Sequence, residues 1–132
     1  MINVVLDTNV IISAAFSPSG NCARIINLLS DSEQIQLFYG NSILDEYQLV
    51  LSREHFDISS HIQTAIIEAI KAEGKKLEPT ASTIPLIDES DRIFYDTARE
   101  AGGILITGNR KHFPDEAFVM SPSEFLTFWD GG

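Results

Sequence analysis

Two runs of the chain are apolar almost without a break, Ile2-Asn3-Val4-Val5-Leu6 near the start and Ile104-Leu105-Ile106 near the end. Neither alternates in the manner of a strand with one wet face. Short β-branched runs of this kind read as strands covered on both sides, the usual state of a parallel strand in an α/β sheet. Each gives way at once to polar residues, Asp7-Thr8-Asn9 after the first and Thr107-Gly108-Asn109 after the second. Residues so placed stand at the carboxyl edge of the sheet, where open α/β folds bind ligands.

Between these runs the period changes. Residues 10–16 are apolar and small, which predicts a short helix broken by Ser17-Pro18-Ser19-Gly20. Asn21 is placed to cap a second helix over 22–29, and 34–39 alternates before turning apolar, a second strand closed by Gly40. Ser42, with Asp45 three positions on, reads as a capping box for a helix over 42–52. At 100° per residue, Ile43, Leu44, Tyr47, Val50 and Leu51 share one arc of that helix. Glu46 lies at the border of the arc and Asp45 on the far side, so Glu46 is the acid that can face a cleft. Ser60 is placed to cap a helix over 61–73, ended by Gly74. Pro79 and Pro85 bracket a loop or edge strand with no clear period.

Asp88 opens the next predicted helix, 88–100, with Asp91 at its third position. Ile93, Phe94, Thr97 and Ala98 form its buried arc, Asp91 falls near the border, and Asp96 points towards water. Gly102-Gly103 ends it. After the second apolar run come a basic loop or turn, Arg110-Lys111-His112, a short strand over 118–120, and a terminal helix with Pro122 in its first turn. The order of elements predicts an α/β fold, a three-layer sandwich with a mostly parallel sheet of about five strands flanked by helices. Residues 1–132 read as a single domain, with no repeat, linker or low-complexity stretch.

Composition narrows the function. At 44% hydrophobic and 21% charged residues the chain is that of an ordinary soluble protein, and no run approaches the roughly 20 apolar residues that cross a bilayer, so no membrane is expected as a partner. The core pattern starts at residue 2, so no signal peptide is expected, and a lone Cys22 fits a reducing, cytoplasmic setting. The formal net charge of −10 excludes a protein that coats nucleic acid through a basic face. A polyanion must instead be received locally, by a metal ion or a few placed cations.

Asp7, Glu46 and Asp91, with the amide of Asn109, would form a cage of hard oxygens suited to Mg²⁺ or Mn²⁺, and no Cys/His spacing competes for zinc. Such an ion binds a phosphodiester oxygen, makes hydroxide from water and stabilises the leaving oxygen. Plainer readings stand beside this one. Asp7 can be a turn residue, Glu46 a solvated acid, Asp91 a partner of a helix dipole and Asn109 a turn residue. Asp88 reads as a cap, and His55 and His61 as surface residues. Arg110, Lys111 and His112 form either a solvated loop or a phosphate contact.

The ordered set VVLDTNVIISA, SILDEYQLVLSR, DRIFYDTA and ILITGNRKHFP resembles the PIN domain family, and within it the compact bacterial group of toxins from toxin–antitoxin pairs. The resemblance covers essentially the whole chain. It implies a parallel five-stranded sheet and a Mg²⁺- or Mn²⁺-dependent ribonuclease acting on single-stranded RNA. The catalytic set would be Asp7, Glu46, Asp91 and Asn109, the first three holding the metal. Thr8, Asn9 and Thr107 would organise the pocket behind them. The fourth position, often Asp, is Asn109 here, which weakens a second metal site. The resemblance further implies a cognate antitoxin as partner, and a homodimer, as in many relatives.

Two other functions fit parts of the pattern. One is a PIN-like module that binds RNA or a partner without turnover. The other is a phosphatase of the haloacid-dehalogenase type with Asp7 as nucleophile. For the latter, Asn9 stands where an acid should be, and Thr107 falls after the acidic pair instead of before it.

Overall fold

The structure, a computed structural model, describes residues 1–131. Five strands form one all-parallel sheet: β1 (Ile2–Leu6), β2 (Ile35–Tyr39), β3 (Gly74–Lys76), β4 (Ile104–Ile106) and β5 (Val119–Met120), in the order β3-β2-β1-β4-β5. Six helices flank it: α1 (Thr8–Phe16), α2 (Asn21–Asp31), α3 (Asn41–Leu51), α4 (Ser60–Glu73), α5 (Arg92–Ala101) and α6 (Pro122–Gly131). None is long and apolar enough to cross a membrane among the described residues.

The unbroken apolar runs are the central strands. Val4 to Leu6 pair with Ile104 to Ile106, and Val4, Val5, Leu6, Leu105 and Ile106 are fully buried. β2, on the other flank of β1, keeps its alternation, with Ile35, Leu37 and Tyr39 inside. From β1 the chain builds outward through β2 to β3, then crosses to β4 on the opposite side. The order therefore reverses between β1 and β4, and a crevice at the carboxyl ends of two such strands is where this architecture receives ligands.

Several boundaries differ from the sequence reading, each for a local reason. Ser42 is exposed and does not cap α3; the cap position belongs to Gly40, and the first helical N–H, that of Asn41, donates to Glu78 Oε1 at 2.6 Å. Ser59, not Ser60, caps α4, its hydroxyl accepting from Ile62 N. Asn21 is already helical, and Gly20 holds the cap position. The edge strand is Gly74–Lys76 and not part of 79–85. Three residues carry no readable period, and their two exposed lysines suit an unpaired edge. The predicted helix over 88–100 divides into a 3-10 turn, Glu89–Asp91, capped by Asp88, and then α5. Gly102 adopts φ 61°, and Gly103 N–H donates to Ala98 O at 2.9 Å, closing α5 where an L side chain would be strained.

Asp96 is the clearest correction. It is 2% exposed, not directed to water. A wheel calculated for an isolated helix assigns that face of α5 to solvent, but Ser82 lies across it and donates its N–H and hydroxyl to Asp96 there.

Candidate active site

Asp7 follows directly on β1 and is 6% exposed. Oδ1 accepts from Thr8 N at 2.7 Å, which makes Asp7 the cap of α1. Oδ2 accepts from the Thr107 hydroxyl at 2.7 Å and from Asn9 Nδ2 at 3.2 Å. Thr107 in turn accepts from Asn109 N at 2.9 Å, and Asn9 Oδ1 accepts from Gly108 N at 2.9 Å. Thr107 and Asn9 thus tie the end of β4 to the end of β1 around one carboxylate. Burial pushes the Asp7 carboxyl above its ordinary range, while the bonds from Thr107 and Thr8 pull it back down.

Glu46 reaches the same edge from α3, half-buried, with Asp45 exposed beside it. Its neighbour Tyr47 is fully buried and donates its hydroxyl to Leu6 O, the last carbonyl of β1. That bond seats α3 against the strand carrying Asp7. Burial, then the charges of Asp7 and Glu46, hold the Tyr47 phenol well above its ordinary value. The Tyr47 and Phe94 rings, with centroids 6.3 Å apart, join α3 to α5.

Asp91 ends the 3-10 turn ahead of α5, and Ser90 N and its hydroxyl bind Asp88 Oδ1 just before it. Oδ2 of Asp91 is shut from solvent and has no hydrogen-bond partner among the described residues. His112 Nδ1 approaches it to 3.8 Å, too far for a hydrogen bond. Burial first, then the charges of Asp7 and Asp88, push the Asp91 carboxyl up to about 6; Glu46 adds to the rise and His112 opposes it. Asp91 therefore lies within electrostatic reach of both Asp7 and Glu46. The Thr8 hydroxyl is a second buried oxygen without a partner among the described residues.

The remaining predicted residues divide. The Asn109 side chain is exposed, and makes no hydrogen bond among those of the described residues. Arg110 is held by Asp115 at 3.2 Å and Glu124 at 3.1 Å, while Lys111 is exposed. A cavity of about 370 Å³ opens between Arg110, Lys111, Phe113 and Asp115. Of the basic turn, only His112 faces an acid of the site. His55 and His61 are exposed, and His55 lies against the Phe56 ring. Sequence reasoning missed Tyr47 as an anchor and Arg92 as a brace, since a buried aromatic and a helix-start arginine carry no pattern of their own.

The PIN domain sequence pattern matches residues 3–111, which includes every one of these acids. The chain belongs to the PIN domain family. An uncharacterized protein of Methanocaldococcus jannaschii is 33% identical over 113 residues, spanning 83% of this chain and 72% of that protein. The crystal structure of PAE2754 from Pyrobaculum aerophilum matches with a TM-score of 0.64, covering 99% of this chain and 91% of that one at 14% identity, a likeness of fold. PIN domains are in general nucleases, and typically bind Mg²⁺ or Mn²⁺.

The residues of this PIN domain fit such an ion in kind. They are hard oxygen donors, mutually repelling, and one buried carboxylate oxygen is unused. They stand open: among the described residues, no three Asp, Glu, His or Cys side chains are close enough to grip an ion between them.

Proposed function

We propose that the protein is a Mg²⁺- or Mn²⁺-dependent endoribonuclease that hydrolyses single-stranded RNA, working in the cytoplasm as the toxin of a toxin–antitoxin pair. The observation that carries the catalytic part is Asp91 Oδ2, buried, without a partner among the described residues, and pressed by the charges of Asp7, Asp88 and Glu46. A protein with no use for a cation would gain stability by filling that position with a donor or an apolar group. The toxin assignment, with an antitoxin and a homodimer as partners, rests on the family resemblance of the sequence.

Asp7, Glu46 and Asp91 would hold the ion, which supplies positive charge to a bound phosphate and lowers the pKa of water. Asp7 is pre-set for that role by three donors, so its carboxylate keeps one orientation. Asp91 supplies an oxygen that no donor competes for. Exposed Lys111 is the cation placed to meet an RNA phosphate, with the His112 ring beside it; Arg110 is engaged with its two carboxylates. In an acidic chain this local charge has to offset a general repulsion of the polyanion.

The test is cleavage of an end-labelled single-stranded RNA with Mn²⁺, with excess EDTA, and by Asp7→Asn. Cutting that needs the metal and is lost in the variant is expected. Metal-independent cutting, or full activity in the variant, ends the proposal.

The open arrangement of the acids and the exposed Asn109 favour a second reading, a PIN-like module that binds RNA or a partner without turnover. Intact RNA retained without Mn²⁺ would support it. Family membership leaves the phosphatase reading without support, and both Asp7 oxygens already accept hydrogen bonds, which suits a nucleophile poorly.

A further inference from the structure

Residues 77–88 form a long connection without regular structure between β3 and the turn carrying Asp91. Connections of that length in a compact domain usually have a job of their own. This one touches both helices that bring acids to the site. It leaves the sheet through Leu77 N, which donates to Tyr39 O at 2.8 Å. Glu78 then caps the first N–H of α3. A Cβ at Gly40 would stand 2.7 Å from Leu77 O and 2.9 Å from Glu78 Oε2, so the strap lies directly on the start of that helix.

Beyond Pro79 the strap runs beside α5 in a regular register. Thr80 N donates to Glu100 at 2.6 Å, Ser82 N to Asp96 at 2.8 Å, and Ile84 O accepts from Arg92 at 2.8 Å. The strap advances two residues for each four of the helix. Two extended residues cover roughly 6.6 Å and four helical ones roughly 6 Å, so the two repeats match.

The tightest point is a clasp one residue from Asp91. Ser82 Oγ donates to Asp96 Oδ1 at 2.6 Å and accepts from Arg92 Nη1 at 3.0 Å. Arg92 also donates to Ser82 O at 2.8 Å, and grips Glu89 with Nε at 2.7 Å and Nη2 at 2.6 Å. All five guanidinium N–H donors are thereby used, in a fork no lysine can copy. The Arg92 side chain is 15% exposed.

We infer that the Arg92–Ser82–Asp96 clasp sets the spacing between Asp91 and Glu46, making Arg92 a positioning residue for the metal-holding acids. This rests on the metal-dependent reading above. Glu89 and Ser82 fix the two sides of Arg92, so the peptide that presents Asp91 cannot drift from the strap. The strap's other end is fixed to the helix of Glu46.

The test is Mn²⁺ affinity by titration calorimetry on the full chain, with melting temperature measured alongside. Arg92→Lys is expected to weaken Mn²⁺ binding roughly ten- to a hundredfold, the scale for groups that orient metal ligands. Ser82→Ala, which removes only the hydroxyl, weakens it less and in the same direction, and decides the matter if Arg92→Lys does not fold. Arg24→Lys is the control, breaking the exposed forked pair that joins α2 to Asp130 of α6, and it leaves Mn²⁺ affinity unchanged. If Arg92→Lys and Ser82→Ala melt lower but bind Mn²⁺ like the parent, the clasp serves only the fold and the inference is overturned. If the parent chain binds no Mn²⁺, the proposed function falls first and takes this inference with it.

Discussion

The two halves of the site treat their carboxylates in opposite ways. At the β1–β4 edge, Asp7 has both oxygens satisfied, by Thr8, Asn9 and Thr107. At the start of α5, Asp91 has a buried oxygen with no partner, facing other negative charge. The first arrangement fixes a geometry, because each donor also belongs to a strand end or helix start. The second belongs to the residue just before Arg92, which bonds Glu89, Ser82 and Ile84, and it leaves one carboxylate oxygen without a donor. An acid built into the fold keeps its orientation whether or not an ion is bound, whereas an acid left without a donor is relieved only by what binds to it.

Substitution should separate them most sharply. Thr107→Val removes the donor to Asp7 and the acceptor for Asn109 N–H. We expect it to destabilise the chain by about 1–3 kcal/mol, the scale for a buried polar group left unsatisfied. Activity should fall roughly tenfold as Asp7 loses its orientation. Asp91→Asn should cost far more activity, roughly a hundredfold or more, yet leave the metal-free chain more stable than its parent. Thermal melting in EDTA at pH 8 reads both signs at once. Both variants melting lower would show that Asp91 is as well satisfied as Asp7, and the contrast would be gone.

The stability gain should depend on pH in a defined direction. A carboxyl raised to about 6 in the folded chain from an ordinary 3.8 binds its proton more tightly when folded than when unfolded. Its cost to stability is therefore absent below about pH 4, grows as pH rises, and is complete above about pH 6. At about 1.4 kcal/mol per pH unit across that window, the full cost is about 1–3 kcal/mol. Denaturant midpoints of parent and Asp91→Asn should converge at pH 4 and separate by pH 7. A constant offset across that range would place the cause elsewhere than in the charge. Added Mn²⁺ should reverse the order at pH 8, stabilising the parent and not the variant.

The same contrast explains what could be read from the chain. β1, β4 and the polar ends after them are legible because a doubly covered strand leaves an unbroken apolar run, and whatever follows must lie at the edge. Glu46 over Asp45 is legible because helical period assigns faces. The strap is not, since an extended segment packed on a helix has a period set by that helix and none of its own. Asp96 was misplaced for the same reason: the wheel knows the helix but not what lies across it. Likewise, Ser42 looks like a cap in sequence, whereas the helix is capped by Glu78, 37 residues later than Asn41. Local signals fail where a distant residue arrives first.

The smallest effect tests whether the satisfied half tolerates more charge. Asn109→Asp puts an acid at the fourth family position, on an exposed residue whose N–H already binds Thr107. Solvent screens a charge placed there, so the penalty to the metal-free chain should stay under about 1 kcal/mol. The gain in Mn²⁺ affinity should be a few-fold for the same reason, roughly what about 0.5–1 kcal/mol supplies. Calorimetric titration of parent and variant measures it. A gain of hundredfold or more would mean that Asn109 faces the ion closely, and that the β1–β4 edge lacks an acid it is built to use. A few-fold gain would leave the shortfall at Asp91, where the brace and the unpartnered oxygen already place the balance of the site.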